Sequence, residues 1–141
     1  MATRGGATVA GWRTCAFLAA LACTRAGPAR VDIVEPVDGA VVNGPDVRIV
    51  LAAAGVEIAP ASEERSGTAH HHLFIDRTLT PPSDTIPSGV TGILHLGRGQ
   101  TEFVVQGLAP GTHRVIAVLA GWAHVPLDPL ATDTARFTVR P

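Results

Sequence analysis

Thr134-Ala-Arg-Phe-Thr-Val-Arg140, close to the end of the sequence, alternates apolar and polar side chains at every step. A period of two is that of a β-strand with one buried face, so Ala135, Phe137 and Val139 should point into a core. Further upstream, Val115-Ile-Ala-Val-Leu119 is apolar at every position, which is typical of a central strand covered on both faces. Together the two stretches predict a domain built on β-sheet.

Turn residues divide the rest of the sequence into short strands. From Arg30 onward, Gly and Pro recur every few residues, and no segment keeps apolar residues at helical spacing. About seven strands in roughly 110 residues predict an all-β, immunoglobulin-like β-sandwich, with an open barrel as the alternative. The Gly97-Arg-Gly99 loop predicts a hairpin between the two strands that it joins. The predicted strands are Val31–Val34, Asp46–Ala53, His70–Asp76, Ile93–Leu96, Thr101–Gln106, Thr112–Ala120 and Thr134–Arg140.

Composition excludes several classes of function. Of the 141 residues, 46% are apolar and 16% charged, which suits one globular domain with a core. The 11 basic residues, all Arg, stand against 12 acidic ones and form no run, which argues against a nucleic-acid partner. The sequence contains no Gly-x-Ser-x-Gly elbow, phosphate loop or dinucleotide fingerprint, so we do not expect an enzyme. A hydrolase that pairs a histidine with Asp76 or Asp128 is the remaining catalytic alternative.

Residues 1–22 have the order of a secretory signal peptide. Arg4 and Arg13 come before a short apolar stretch. This stretch ends in Ala20-Leu-Ala22, a small-x-small cleavage pattern. That stretch is shorter than the roughly 20 apolar residues that span a bilayer. The sequence therefore predicts export, with an uncleaved N-terminal helix as the alternative.

Cys23 directly follows the predicted cleavage site, and a cysteine in that position suggests a lipoprotein. Lipid attachment to Cys23 and plain cleavage both stay open, because the lipoprotein pattern prefers Leu where this chain has Ala20. Membrane contact would come only through that lipid. Residues 23–29 are predicted to form a linker and residues 30–141 the sandwich domain. Both cysteines of the chain lie before this domain, so its stability must come from packing.

Histidines are the residues best suited to chemistry in this sequence. Three in a row, His70 to His72, lie on a predicted strand, which puts the first and third on one face about 6–7 Å apart. We expect His71 to point inward with its apolar neighbours, and His95 on the next strand to point outward. Two imidazoles at such a separation can share a metal ion. The predicted copper or zinc ligands are His70, His72, His95 and His124, and hydrogen-bonded strand-end histidines are the alternative.

Several motifs occur together in an order that carries a resemblance. They are His70-His-His-Leu-Phe-Ile-Asp76, Ile86-Pro87, His95-Leu-Gly-Arg-Gly-Gln-Thr-Glu102, Leu108-Ala-Pro-Gly-Thr-His113 and His124-Val-Pro-Leu-Asp-Pro129. From about residue 69 to residue 139 the chain resembles a family of exported bacterial proteins, domain-of-unknown-function family 4399. The resemblance implies a β-rich domain in the bacterial periplasm or an envelope lipoprotein. It also implies that family members carry further histidines where this chain has Ile93, Trp122 and Leu127.

These observations lead to two expectations about function. The first is an exported binding or accessory module, with or without a lipid on Cys23, that contacts an envelope protein. The second is a periplasmic copper or zinc binding protein that uses the histidine cluster. The stretch Val34-Glu-Pro-Val-Asp-Gly-Ala-Val-Val-Asn-Gly-Pro45 is similar to the opening of many bacterial immunoglobulin-like modules, which agrees with the predicted fold.

Overall fold

A computed structural model describes residues 27–141 of the protein. The predicted signal peptide, Cys23 and most of the predicted linker lie outside these residues, so the predictions about them stay predictions. Within the described range no helix is long and apolar enough to cross a membrane. The nine strands are β1 (Arg30–Glu35), β2 (Ala40–Asn43), β3 (Val47–Ala54), β4 (Glu57–Ile58), β5 (Thr68–Ile75), β6 (Ile93–Leu96), β7 (Glu102–Val105), β8 (Gly111–Ala120) and β9 (Thr132–Arg140).

The strands form two sheets. One has the order β1-β3-β7, and the other has the order β2-β9-β8-β5-β4 with β6 paired to β5. Apolar side chains from both sheets, among them Ile49 from the first and Leu73 and Phe137 from the second, belong to one core. Two sheets that share a core form a sandwich, which confirms the predicted immunoglobulin-like fold over the open barrel.

The two stretches that indicated the fold occupy the positions predicted for them. β8 lies between β5 and β9, and both of its faces are covered from Val115 to Ala120. On β9, Ala135, Phe137 and Val139 are buried while the side chains between them are not. Phe137 is 1% exposed, so the alternation correctly identified the core face of this strand.

The predicted hairpin around Gly97-Arg-Gly99 is wrong. β6 pairs with β5, and β7 pairs with β3 in the other sheet, so this loop crosses from one sheet to the other. Crossing adds one strand to each sheet, so the edge strand β3 and the edge strand β5 each gain a partner, whereas a hairpin would add both strands to one sheet. Leu96, fully buried in the core, and a bridge between Pro60 and Arg98 hold the crossing in place.

A second apolar layer covers the outer face of the larger sheet. Phe74 of β5 and Ile116 and Val118 of β8 point away from the main core and pack against Ile86, which belongs to the loop of residues 76–92. We call this layer the outer cluster. Because of it, β5 is buried on both faces along its whole length. Ile86 anchors this loop to the larger sheet.

Candidate metal centre

β5 supplies the two buried histidines of the cluster. His70 and His72 lie on its outer face, as predicted, because Leu73 and Ile75 take the opposite face in the main core. That outer face is not in solvent. The two side chains are 1% and 2% exposed, since the outer cluster and the loops around it close over them.

β6 brings the third histidine. The antiparallel register places His95 directly opposite His72, and paired residues across two strands point to the same face. The predicted site requires β5 and β6 to be neighbours, and they are. His95 is solvent-exposed, unlike His70 and His72.

The turn after β8 contributes the fourth histidine of the cluster, His124. His124 has a φ of 60°, a left-handed conformation that is rare for a residue with a side chain. Two backbone hydrogen bonds hold it there. Its N–H donates to the Gly121 carbonyl, and its carbonyl accepts from the Ile86 N–H, each at 2.8 Å. Strained backbone that the surroundings enforce is characteristic of functional sites.

The four side chains converge on one point. Nε2 of His70 lies 3.0 Å from Nε2 of His72, and Nε2 of His124 lies 3.2 Å from Nε2 of His95. One candidate ligand nitrogen from each of the four lies within 4.8 Å of all the others. A tetrahedral ion with bonds of about 2.0–2.1 Å separates its ligand nitrogens by about 3.4 Å. The four predicted ligands are therefore brought within a few ångströms of one another, and two of their separations are slightly shorter than this spacing.

Burial keeps the imidazoles of His70 and His72 neutral. Desolvation, followed by the charges of the neighbouring histidines, lowers the pKa of His70 to about 4 and that of His72 to about 3. Desolvation also lowers the pKa of His95. Because only a neutral imidazole has a free lone pair for a metal, the cluster is ready to bind one at neutral pH.

Gly97 makes room for His95, a role that the sequence did not reveal. A Cβ atom built at Gly97 would overlap the His95 ring, so only glycine lets this imidazole fold back toward the cluster. The sequence presented Gly97 as a turn residue. Nothing in the sequence pattern distinguishes a glycine that opens a turn from one that accommodates a ring.

The other two histidines take no part in the cluster. His71 points into the main core, as expected, and its Nδ1–H donates to the Gln100 carbonyl at 3.1 Å. His113 lies near the start of β8, away from the cluster. Its Nδ1–H donates to Asp76 at 2.7 Å, and its Nε2–H donates to the Ala109 carbonyl at 2.8 Å. Asp76 also accepts from the Arg114 N–H at 2.8 Å. This histidine and aspartate link β8 to the end of β5.

The positions where the family resemblance implied further histidines lie in different surroundings. Ile93 packs against the outer cluster, Leu127 packs against the main core, and Trp122 is 48% exposed. The four histidines of the cluster converge without them. The three replacements therefore leave a complete four-nitrogen set.

Fold and site together define the class: an immunoglobulin-like β-sandwich with four histidines gathered on the outer face of its larger sheet. The chain belongs to the family described as "Domain of unknown function (DUF4399)", whose profile it matches over residues 49–140. This confirms the resemblance predicted from residue 69 onward and extends it toward the N-terminus. No curated protein sequence matches the chain.

Solved structures resemble the chain in fold at low sequence identity. A crystal structure of an engineered protein aligns with 81% of this chain at 13% identity and a TM-score of 0.50. The alignment covers 20% of that protein, so the chain spans about a fifth of its length. The PKD domain of human KIAA0319 aligns with 85% of this chain and 88% of its own at 14% identity and a TM-score of 0.40. At such identities the likeness concerns the fold alone.

Proposed function

We propose that this domain binds one copper or zinc ion through His70, His72, His95 and His124. One observation carries the proposal: four imidazole nitrogens from β5, β6 and the turn after β8 lie within 4.8 Å of one another. Imidazole nitrogen suits both metals, and the usual affinity order favours Cu(II) over Zn(II) at the same ligands.

The alternative, in which the histidines are only strand-end hydrogen-bonding groups, accounts poorly for their surroundings. The hydrogen bonds of the cluster join its members to one another, His70 to His72 and His95 to His124. The buried Nδ1 of His72 has no partner among the described residues. Burying imidazoles that bond mainly to each other is unfavourable for stability, whereas a bound ion would use their lone pairs.

Calorimetric titration of the full chain, stripped of metal with a chelator, tests this proposal. We expect one Cu(II) or Zn(II) to bind per chain. The double variant His95→Ala and His124→Ala removes the two ligands nearest the surface and should weaken binding at least about 100-fold. His113→Ala, a histidine outside the cluster, is the control and should bind as the wild type does.

Two results would overturn the proposal. The first is equal binding by the wild type and the double variant. The second is equal weakening by the control and the double variant, which would point to scattered surface histidines. Circular dichroism of each variant shows whether the β-sheet is intact, so that lost binding is not confused with lost fold.

A further inference from the structure

The histidine cluster has no negative charge to balance a divalent ion. All four candidate ligands are neutral when they bind, so Cu²⁺ or Zn²⁺ would keep its double positive charge. Among the described residues that line the cavity beside the cluster, none is acidic. A charge in such surroundings is costly unless a counter-ion lies close to it.

The cavity lies directly against three of the ligands. It has a volume of about 210 Å³ and is lined by His72, His95 and His124 on the side of the cluster. Ile86 and Ile93 contribute to its apolar wall, and the exposed hydroxyl of Ser88 is the other polar side chain that lines it. The space is large enough for a ligand of several atoms.

We propose that the metal ion takes a small monoanion from solution as an additional ligand, held in this cavity. This inference rests on the proposed metal binding. The anion donates an electron pair to the metal in place of water, and one unit of the uncompensated charge is neutralised inside low-dielectric walls. The apolar lining favours a small monoanion, such as azide or a short carboxylate, over a strongly hydrated dianion.

Azide is the probe. The full chain is loaded with one equivalent of Cu(II) and titrated with sodium azide, and the new charge-transfer absorption of the copper–azide bond is followed. We expect a saturable band that the metal-free chain does not give. If the chain takes only zinc, calorimetry of azide binding to the zinc form replaces the absorption measurement.

A designed carboxylate tests the charge argument. Ser88→Asp puts a negative charge at the cavity, so it should strengthen metal binding and weaken azide binding at least about tenfold. Ser83→Asp makes the same change in the same loop, away from the residues that line this cavity, and is the matched control. It should leave azide binding within about twofold of the wild type.

Ser88→Leu is a second variant, because it narrows the cavity without adding charge. It should weaken azide binding and leave metal affinity unchanged. A copper-loaded chain that gives no azide band, or a Ser88→Asp variant that binds azide as tightly as Ser83→Asp does, would overturn the inference. Failure to load copper or zinc at all would instead count against the proposed function.

Discussion

The imidazole of His72 is the least well satisfied side chain of the cluster. It is 2% exposed, it shares one hydrogen bond with His70, and its Nδ1 has no partner among the described residues. In the metal-free chain this burial lowers stability, because the ring has lost water and regained little. A site kept at the expense of stability is typical of function rather than packing.

The variant His72→Leu distinguishes a functional role of this histidine from a structural one. An apolar side chain of similar size suits the neighbouring outer cluster, so the metal-free variant should be as stable as the wild type or more stable by about 1–2 kcal/mol. Urea unfolding in the presence of a chelator measures this. Phe74→Leu, on the same face of β5, is the control and should lose about 1–3 kcal/mol. A loss above about 2 kcal/mol in His72→Leu would show that the histidine is structural.

Gly97→Ala tests the position of a single ring. The added Cβ should push His95 away from the cluster and weaken copper or zinc binding at least about tenfold. The unfolding free energy should change by less than about 1 kcal/mol, because His95 is a surface side chain that can move into solvent. Gly121→Ala is the matched control, since a Cβ there meets nothing within 4 Å. If the copper or zinc affinity of Gly97→Ala equals that of the wild type, Gly97 has no role in positioning His95 for metal binding.

At the scale of elements, the end of β5 and the start of β8 are joined by a pH-sensitive pair. Burial alone lowers the pKa of His113, but its hydrogen bonds to the Ala109 carbonyl and to Asp76 raise it above the usual value. Both partners only accept, so both ring nitrogens must donate, which requires the charged imidazolium. Desolvation acts to raise the pKa of Asp76, yet His113 and the Arg114 N–H lower it overall.

The sign of the pH dependence follows from these directions. A raised histidine pKa contributes stability below the unfolded value of 6.5, and that contribution disappears as the pH rises through the folded value. His113→Gln should therefore cost stability at pH 6 and less at pH 8.5, a difference of about 0.5 kcal/mol because Asp76 is half exposed. Urea unfolding at both pH values checks this. Equal losses at the two pH values would contradict it.

Elements also show what the sequence could and could not reveal. Alternation identified β9, and continuous apolar residues identified β8, because both patterns are local. β2 and β4 have four and two residues, which are too few for a periodic pattern. The turn residues around Gly97 mark a turn, but they do not determine which sheet the next strand joins. The outward face of β5 was predicted correctly, but its burial depends on Ile86 from a distant loop.

The candidate metal site was partly predictable, because the faces of strands follow from local sequence patterns. Residue types and strand faces selected His70, His72 and His95, whose geometry follows from strand pairing. His124 was included only as a histidine in a loop. Its direction depends on a left-handed backbone and a hydrogen bond to Ile86, and neither leaves a periodic trace in the sequence.

The main core and the histidine cluster lie on opposite faces of one sheet. The core holds the two sheets together through Ile49, Leu73 and Phe137, and none of these residues lines the cavity beside the cluster. Ligand variants can therefore lose metal and still keep the sandwich. Because of this separation, metal binding and folding can be measured independently in the same protein.

We also propose, from the sequence, that the protein is exported. Intact mass measured on protein from a membrane fraction of an expressing bacterium should correspond to a chain that begins at Cys23, with or without acyl groups. An added acyl mass would select the lipoprotein form. A chain that retains residues 1–22 would refute the cleavage prediction.

The ligands come from β5, β6 and the turn after β8, so a bound ion would tie together segments that lie about 50 residues apart. The domain from residue 30 onward has no cysteine with which to make such a link. A metal clasp would restrict the unfolded chain much as a disulfide does, and it would open whenever the ion is withdrawn. The protein's survival against proteases would then follow the supply of trace metal in its surroundings.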